Sequence, residues 1–265
     1  MIFYQGFINF VINTKDLKNE IVISVVSYIN TLPLHYGLKK AKFDLPVRFE
    51  IDYPAECARK LISGQVDIGL VPVITLNQLP DSYTVSNYCL SAIDKVRSVI
   101  LAGNCPVTQM QRIFLDDQSR TSAALVKILA RQLWKINPEF QPCTVSSVIG
   151  MNKNEGILAI GDKSFAVANQ YKYCYDLAFE WRQMTGLPFV FACWVAKHPL
   201  PDSFIKQFNE ALAYGVSHIE EAVNDYAQYN ILSKEDLLSY LQHNLSFIFD
   251  EKKKKGLELF LKMVK

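Results

Sequence analysis

Strand patterns that run straight into proline-opened helices constrain this chain more than any other feature of it. Ile21 to Tyr28 is a β-branched run, and Pro33 follows closely. Proline suits the first turn of a helix, where the N–H it lacks would have no partner. That helix is expected to reach about Lys40. Val47 to Tyr53 then alternates apolar and polar residues as a strand does, and Pro54 opens a helix over 54–63. Cys57, Ala58, Leu61 and Ile62 share one face of it, and Gly64 is its stop.

The alternation continues. Strands are expected over 66–73, 95–102, 112–115, 156–160 and 189–196, with a helix from Ser119 or Arg120 to Trp134. From Pro201 onward the pattern is helical, over 202–224, 234–244 and 250–264, and Ser233 with Asp236 forms a capping-box-like start. Strands alternating with helices imply an α/β fold with mostly parallel sheets. Ligands in such sheets bind at the C-terminal ends of strands, where the strand order reverses. A chain of 265 residues accommodates one large domain or two lobes. No flexible linker is present, so two lobes would be joined by ordered segments, and the strands at 95–102 and 189–196 are the natural crossings. That gives a discontinuous first lobe, 21–101 plus 194–265, and an inserted second lobe, 102–193. Residues 1–20 are left as an N-terminal extension.

Composition narrows the function. The net charge of +2 argues against a nucleic-acid partner, which usually calls for a basic stripe. The run Lys252 to Lys255 reads as a solvated helix face. The six cysteines are scattered, with no C-x-x-C pair, as for reduced, buried thiols. No two of the four histidines lie at metal-ligand spacing, and no metal is expected. Met1 to Ile12 is apolar but lacks a basic n-region and is too short to cross a bilayer, so a cytoplasmic protein without a membrane partner is expected.

Four places carry potential binding chemistry. Asn30-Thr31 sits between a strand and a helix start, where free N–H groups and the helix dipole favour an anion; Thr31 capping its own backbone is the alternative. Ser119-Arg120-Thr121-Ser122 gathers three hydroxyls and a guanidinium at another helix start, with simple capping, or pairing of Arg120 with Asp116 or Asp117, as alternatives. Arg97-Ser98 interrupts an apolar strand, and a buried serine must find a partner, either backbone or ligand. Gly161-Asp162-Lys163 ends a strand; Gly161 permits close backbone approach and Asp162 could orient a donor or accept a ligand hydroxyl, while a plain turn explains both at least as well. There is no G-x-G-x-x-G after a strand, no Walker-type loop, no G-x-S-x-G elbow, and no histidine in any of these loops. Hydride transfer, phosphoryl transfer and triad hydrolysis all lack their parts.

Read together, the segments resemble the chorismate dehydratase family of the futalosine route to menaquinone. The resemblance is carried by Val26-Ser27-Tyr28-Ile29-Asn30-Thr31-Leu32-Pro33, Pro54-Ala55-Glu56-Cys57-Ala58-Arg59, and Val66-Asp67-Ile68-Gly69-Leu70-Val71-Pro72-Val73. Arg97-Ser98-Val99, Ser119-Arg120-Thr121-Ser122, and the stretch from Trp181 to Ala192 complete it, in the family's order. The sister enzyme of the pathway shares the fold, but its first turn carries a Cys-Pro-Asn-type motif that this chain lacks. The resemblance implies a two-lobed type 2 periplasmic-binding-protein fold with the substrate in the cleft, and conversion of chorismate to 3-[(1-carboxyvinyl)oxy]benzoate and water without a cofactor. It also implies that Asn30 and Ser98 hold substrate carboxylates while the turn from Ser119 to Ser122 supplies donors from the inserted lobe. The general base is open among Asp162, Glu56 and the substrate's own side-chain carboxylate. The last is favoured, because no carboxylate or histidine lies within the best-matched turns. Whether the chain acts alone or as a homodimer is also open.

Overall fold

The structure is a computed structural model that describes residues 20–145, 151–226 and 231–264. The extension expected at 1–20 lies outside the described residues apart from Glu20, which pairs with Arg48.

Two mixed sheets organise the chain. The first contains β1 (Ile21–Val26), β2 (Val47–Asp52), β3 (Ile68–Pro72), β4 (Tyr83–Ala92), β10 (Phe189–Ala196) and β11 (Ser246–Ile248), in the order β11-β4-β10-β3-β1-β2. β1 runs parallel to both β2 and β3, while β10 is antiparallel to both β3 and β4. Every residue of β1, β3 and β10 is buried, and such doubly covered strands read as continuous apolar runs. The second sheet has the order β7-β6-β8-β5-β9, from β5 (Val99–Gly103), β6 (Arg112–Asp116), β7 (Glu139–Cys143), β8 (Glu155–Ile160) and β9 (Tyr173–Asp176). Here β6 is parallel to β7 and β8, and β5 is antiparallel to β8 and β9. The parallel pairings of β1 with β2 and β3, and of β6 with β8, are those the alternation implies. Four strands are not revealed by it: β7, which is parallel to β6, and β4, β9 and β11, which make only antiparallel pairings.

The helices are α1 (Leu32–Lys40), α2 (Pro54–Ser63), α3 (Thr121–Leu129), α4 (Lys163–Ala168), α5 (Leu177–Thr185), α6 (Asp202–Ser217), α7 (Ile219–Asp225), α8 (Lys234–Ser239) and α9 (Glu251–Val264). α2 opens on Pro54 and stops at Gly64, whose φ of 74° is the left-handed C-cap that glycine suits. The helix expected over 202–224 breaks at His218, with φ −120° and ψ 40°, giving α6 and α7. α3 and α8 each run on into a π-helical turn, Ala130–Trp134 and Tyr240–Asn244.

Two corrections concern the crossings. β10 belongs wholly to the first sheet and β5 wholly to the second, so the chain passes between sheets at 93–98 and 177–188, not within the strands. The strand expected over 95–102 starts only at Val99. Arg97 adopts φ 63°, and its N–H is taken by the Asp176 carboxylate at 2.6 Å, so no ladder can continue through it.

α1 and α6 cross where both lack a side chain. A Cβ on Gly37 would lie 2.0 Å from the Ala211 carbonyl oxygen, and one on Gly215 would lie 1.9 Å from that of Pro33. This contact fixes α1, which directly follows the turn that carries Asn30. Trp181 and Phe260 pack edge-to-face against each other and against Phe189 of β10, at centroid distances of 5.1–6.2 Å. Cys57, Cys89, Cys105 and Cys193 are buried, and all six cysteines are unpaired. No helix among the described residues is long and apolar enough to cross a membrane.

Candidate active site between the sheets

The first wall is the turn after β1. Tyr28 is extended, Ile29–Thr31 form a 3-10 turn, and α1 follows with Pro33 in its first turn. The Thr31 hydroxyl lies 2.6 Å from the Val26 carbonyl oxygen and 2.8 Å from that of Tyr28. Thr31 therefore braces the turn internally, and the ligand role expected of it falls away. Asn30 is different. It is 7% exposed, and its Oδ1 is buried without a partner. An unmet buried acceptor costs about 1–3 kcal/mol, a debt that a ligand donor would remove.

The second wall is the turn after β6. Asp116 shapes it, accepting from Gln118 N at 3.1 Å through Oδ1 and from Ser119 N at 2.9 Å through its carbonyl. α3 then starts at Thr121 with no side-chain cap at Arg120. The N–H groups of its first turn have no helical acceptor, which is the arrangement that binds anions. Ser119 Oγ is buried without a partner. Arg120 is exposed and, among the described residues, forms no ion pair; Asp116 instead lies 3.9 Å from Lys163 Nζ, and Asp117 accepts from Thr144 at 2.7 Å. Thr121 Oγ1 lies 3.5 Å from both Ile74 N and the Phe191 carbonyl oxygen, linking α3 to the opposite wall.

The third element is the crossing at 93–98. Ser98 is 1% exposed, and its carbonyl accepts from Gly161 N at 2.8 Å. Its hydroxyl accepts from the buried Tyr240 hydroxyl at 2.7 Å. The left-handed turn at Arg97 separates the two neighbours. Ser98 lines the cavity between the walls, whereas Arg97 lines a second cavity and stacks its guanidinium over Phe165 at 5.7 Å.

Gly161 and Asp162 are both occupied with the turn that follows β1. Gly161 has φ 59°, and a Cβ there would meet the Tyr28 ring at 2.9 Å, so this glycine makes room for the opposite wall. The Asp162 carboxylate accepts from Ile29 N at 3.2 Å and faces the second cavity. Burial pushes its pKa up to about 6, against the pull of that hydrogen bond. Glu56 forms hydrogen bonds of 2.6 and 2.8 Å with Arg59 on the exposed face of α2, and is not in the cavity wall.

The central cavity thus gathers Asn30, Ser98, Ser119, Arg120, Thr121 and Ser122, with Tyr28, Gln118 and Pro54 beside them and apolar walls from Val26, Val96, Val99, Ile160, Phe191 and Leu245. Pro54 is the first residue of α2, so the starts of α2 and α3 meet this space, together with the 3-10 turn that leads into α1. Among the described residues its wall contains one cation, Arg120, and no aspartate, glutamate or histidine. About 60 Å³ is enclosed, well below the ~300 Å³ or more of small-molecule pockets, so a ring-sized ligand requires the walls to part. Tyr28 bridges them, donating to Gln118 Oε1 at 2.8 Å, and Lys163 Nζ donates to the same oxygen at 3.1 Å. Tyr28 stood inside the recognised turn, but its partner is ninety residues on. Tyr240 has no sequence signal, because it lies within an ordinary helical pattern.

The two sheets with their helices define a two-lobed, periplasmic-binding-protein-like α/β fold, with a polar cavity between the sheets. Residues 21–265 match the family described as menaquinone biosynthesis, and the chain belongs to that family. It is 27% identical to the chorismate dehydratase of Thermus thermophilus over 262 residues, covering 90% of this chain and 93% of that one. It is 26% identical to the chorismate dehydratase of Campylobacter jejuni over 252 residues, covering 92% and 97%. Among solved structures, a protein from Archaeoglobus fulgidus superposes with a TM-score of 0.74 at 14% identity, covering 93% of this chain and 97% of that one. The periplasmic aliphatic sulphonate binding protein of Escherichia coli superposes with a TM-score of 0.61 at 16% identity, covering 93% and 88%.

Proposed function

We propose that this chain is a chorismate dehydratase, a hydro-lyase that converts chorismate to 3-[(1-carboxyvinyl)oxy]benzoate and water. The observation that carries this reading is a cavity walled by neutral donors, helix starts and one guanidinium, with no carboxylate or imidazole among the described residues that line it. Chorismate brings two carboxylates that such a wall can hold. Loss of the ring proton beside the enol ether and of the neighbouring hydroxyl makes the ring aromatic, so the step is strongly downhill. Negative charge builds on the ring carboxylate as the proton leaves. Donors fixed in advance at that position lower the barrier without reorganising.

Asn30 and Ser98 bind one end of the substrate, and the start of α3 with Arg120 binds the other. The substrate's own side-chain carboxylate takes the ring proton, since it lies beside it and the wall offers no other base. Asp162 has a proton affinity suited to a base, but its carboxylate is committed to Ile29 N. Parting and closing of the walls admits chorismate and then excludes water. The test is to incubate purified protein with chorismate, without added cofactor or metal. Conversion to the substituted benzoate is the expected result. Saturable binding with chorismate recovered unchanged would make the chain a receptor and not an enzyme.

A further inference from the structure

We propose that Tyr240 is a positioning residue for the reaction: it aims the Ser98 hydroxyl proton into the cavity. This rests on the dehydratase reading above.

Ser98 has one hydroxyl proton and two lone pairs. The Tyr240 hydroxyl occupies a lone pair at 2.7 Å, both groups being buried. A phenol is a far stronger acid than an aliphatic alcohol, so the tyrosine donates and the serine accepts. With that lone pair filled, the Ser98 proton must find its acceptor elsewhere, and the cavity that Ser98 lines is where an anion would provide one. The result is a directed chain, Tyr240 to Ser98 to ligand, in which each bond polarises the next. Tyr240 itself lies outside the cavity wall.

The backbone is built to hold this geometry. Tyr240 opens the π-helical turn Tyr240–Asn244, and the last residue of that turn, Asn244, donates to the Lys95 carbonyl at 3.0 Å. The π turn is thus bonded twice to the crossing at 93–98, once on either side of the left-handed Arg97. Single π turns within helices are common at functional sites, where they re-aim side chains. The Tyr240 ring is fixed by an edge contact with Phe165 at 5.2 Å.

Tyr240→Phe keeps that ring contact and removes only the donor. The expected result is a fall in kcat of about tenfold with KM changed less than about twofold, the size of one lost hydrogen bond in the transition state. In a Ser98→Ala background the same substitution should cause no further loss, because the residue through which Tyr240 acts is gone. Y240F turning over at the wild-type rate would overturn the proposal. So would a loss that multiplies unchanged onto S98A, since that marks a general structural effect. If Y240F does not fold, site-specific 3-fluorotyrosine at 240 retains the ring and strengthens the donor. A shift in kcat without a shift in KM then supports the role, and an unchanged kcat contradicts it. A wild-type protein that fails to convert chorismate overturns the functional reading itself, an outcome distinct from all of these.

Discussion

Two cavities lie back to back along the crossing at 93–98, and they differ in almost every respect. The larger, about 790 Å³, is lined by Lys95, Arg97, Asp162, Asp176, Glu180 and Asp236 among others. Many of its charges already serve the fold. Asp176 holds Arg97 N and caps α5, Glu180 accepts from Trp134 Nε1 at 2.9 Å, and Asp162 holds Ile29 N. Among the described residues, the smaller contains one cation, no acid, helix starts, and two buried side-chain atoms, Asn30 Oδ1 and Ser119 Oγ, that have no partner. Size points to the first cavity and unmet chemistry to the second. Unsatisfied donors and acceptors are what a protein does not tolerate without a reason, which is why the second is the site proposed here.

The sharpest way to break this comparison is to remove the donors. Ser98→Ala or Asn30→Ala should each lower turnover by about 100-fold or more, the usual scale for a lost charge-stabilising donor. Steady-state kinetics with folding checked by circular dichroism would show it. Arg120→Gln should act mainly on affinity, raising KM by about tenfold, with Lys restoring only part because it lacks the planar fork. Gly161→Ala should cost about 1–3 kcal/mol of stability, since the methyl meets the Tyr28 ring and the backbone is left-handed. Thermal unfolding measures it.

Asp162 gives a pH-dependent test. Its folded pKa of about 6 lies above the ordinary carboxylate value of about 4, so the folded chain holds the extra proton between them. Its contribution to stability is therefore greatest below about pH 4 and is lost as pH rises through about 6. Asp162→Asn keeps an acceptor for Ile29 N and removes that loss. The variant should gain on the wild type as pH rises, by up to ~3 kcal/mol at pH 8. Denaturant titrations at pH 4 and pH 8 would register the difference. The smallest effect is expected in the larger cavity: Lys95→Gln with Arg97→Gln should leave turnover within about twofold.

The sequence made some of this legible and hid the rest for physical reasons. β1, β3 and β10 are buried on both faces and show as unbroken apolar runs. β4 does not, because Ser86, Asn87 and Ser91 interrupt it and are satisfied by distant partners, Asn209 and the Ser246 carbonyl. The turns at Asn30 and at Ser119 to Ser122 announce themselves by donors at helix starts. Thr31 has the same local signature as Asn30, and only the folded turn reveals that its hydroxyl is used internally. Arg97 and Ser98 read as one motif, yet a single left-handed residue sends them into different cavities. Contacts such as Tyr28 with Gln118, or Tyr240 with Ser98, join segments far apart in the chain and leave no local trace.

The central claim is that the cavity supplies donors and the substrate supplies the base. It is tested most directly with a chorismate analogue whose side-chain carboxylate is replaced by a carboxamide. The analogue should bind in competition with chorismate but lose no water, because nothing in the wall can take the ring proton. Dehydration of the analogue at a rate near that of chorismate would mean that the protein holds a base of its own.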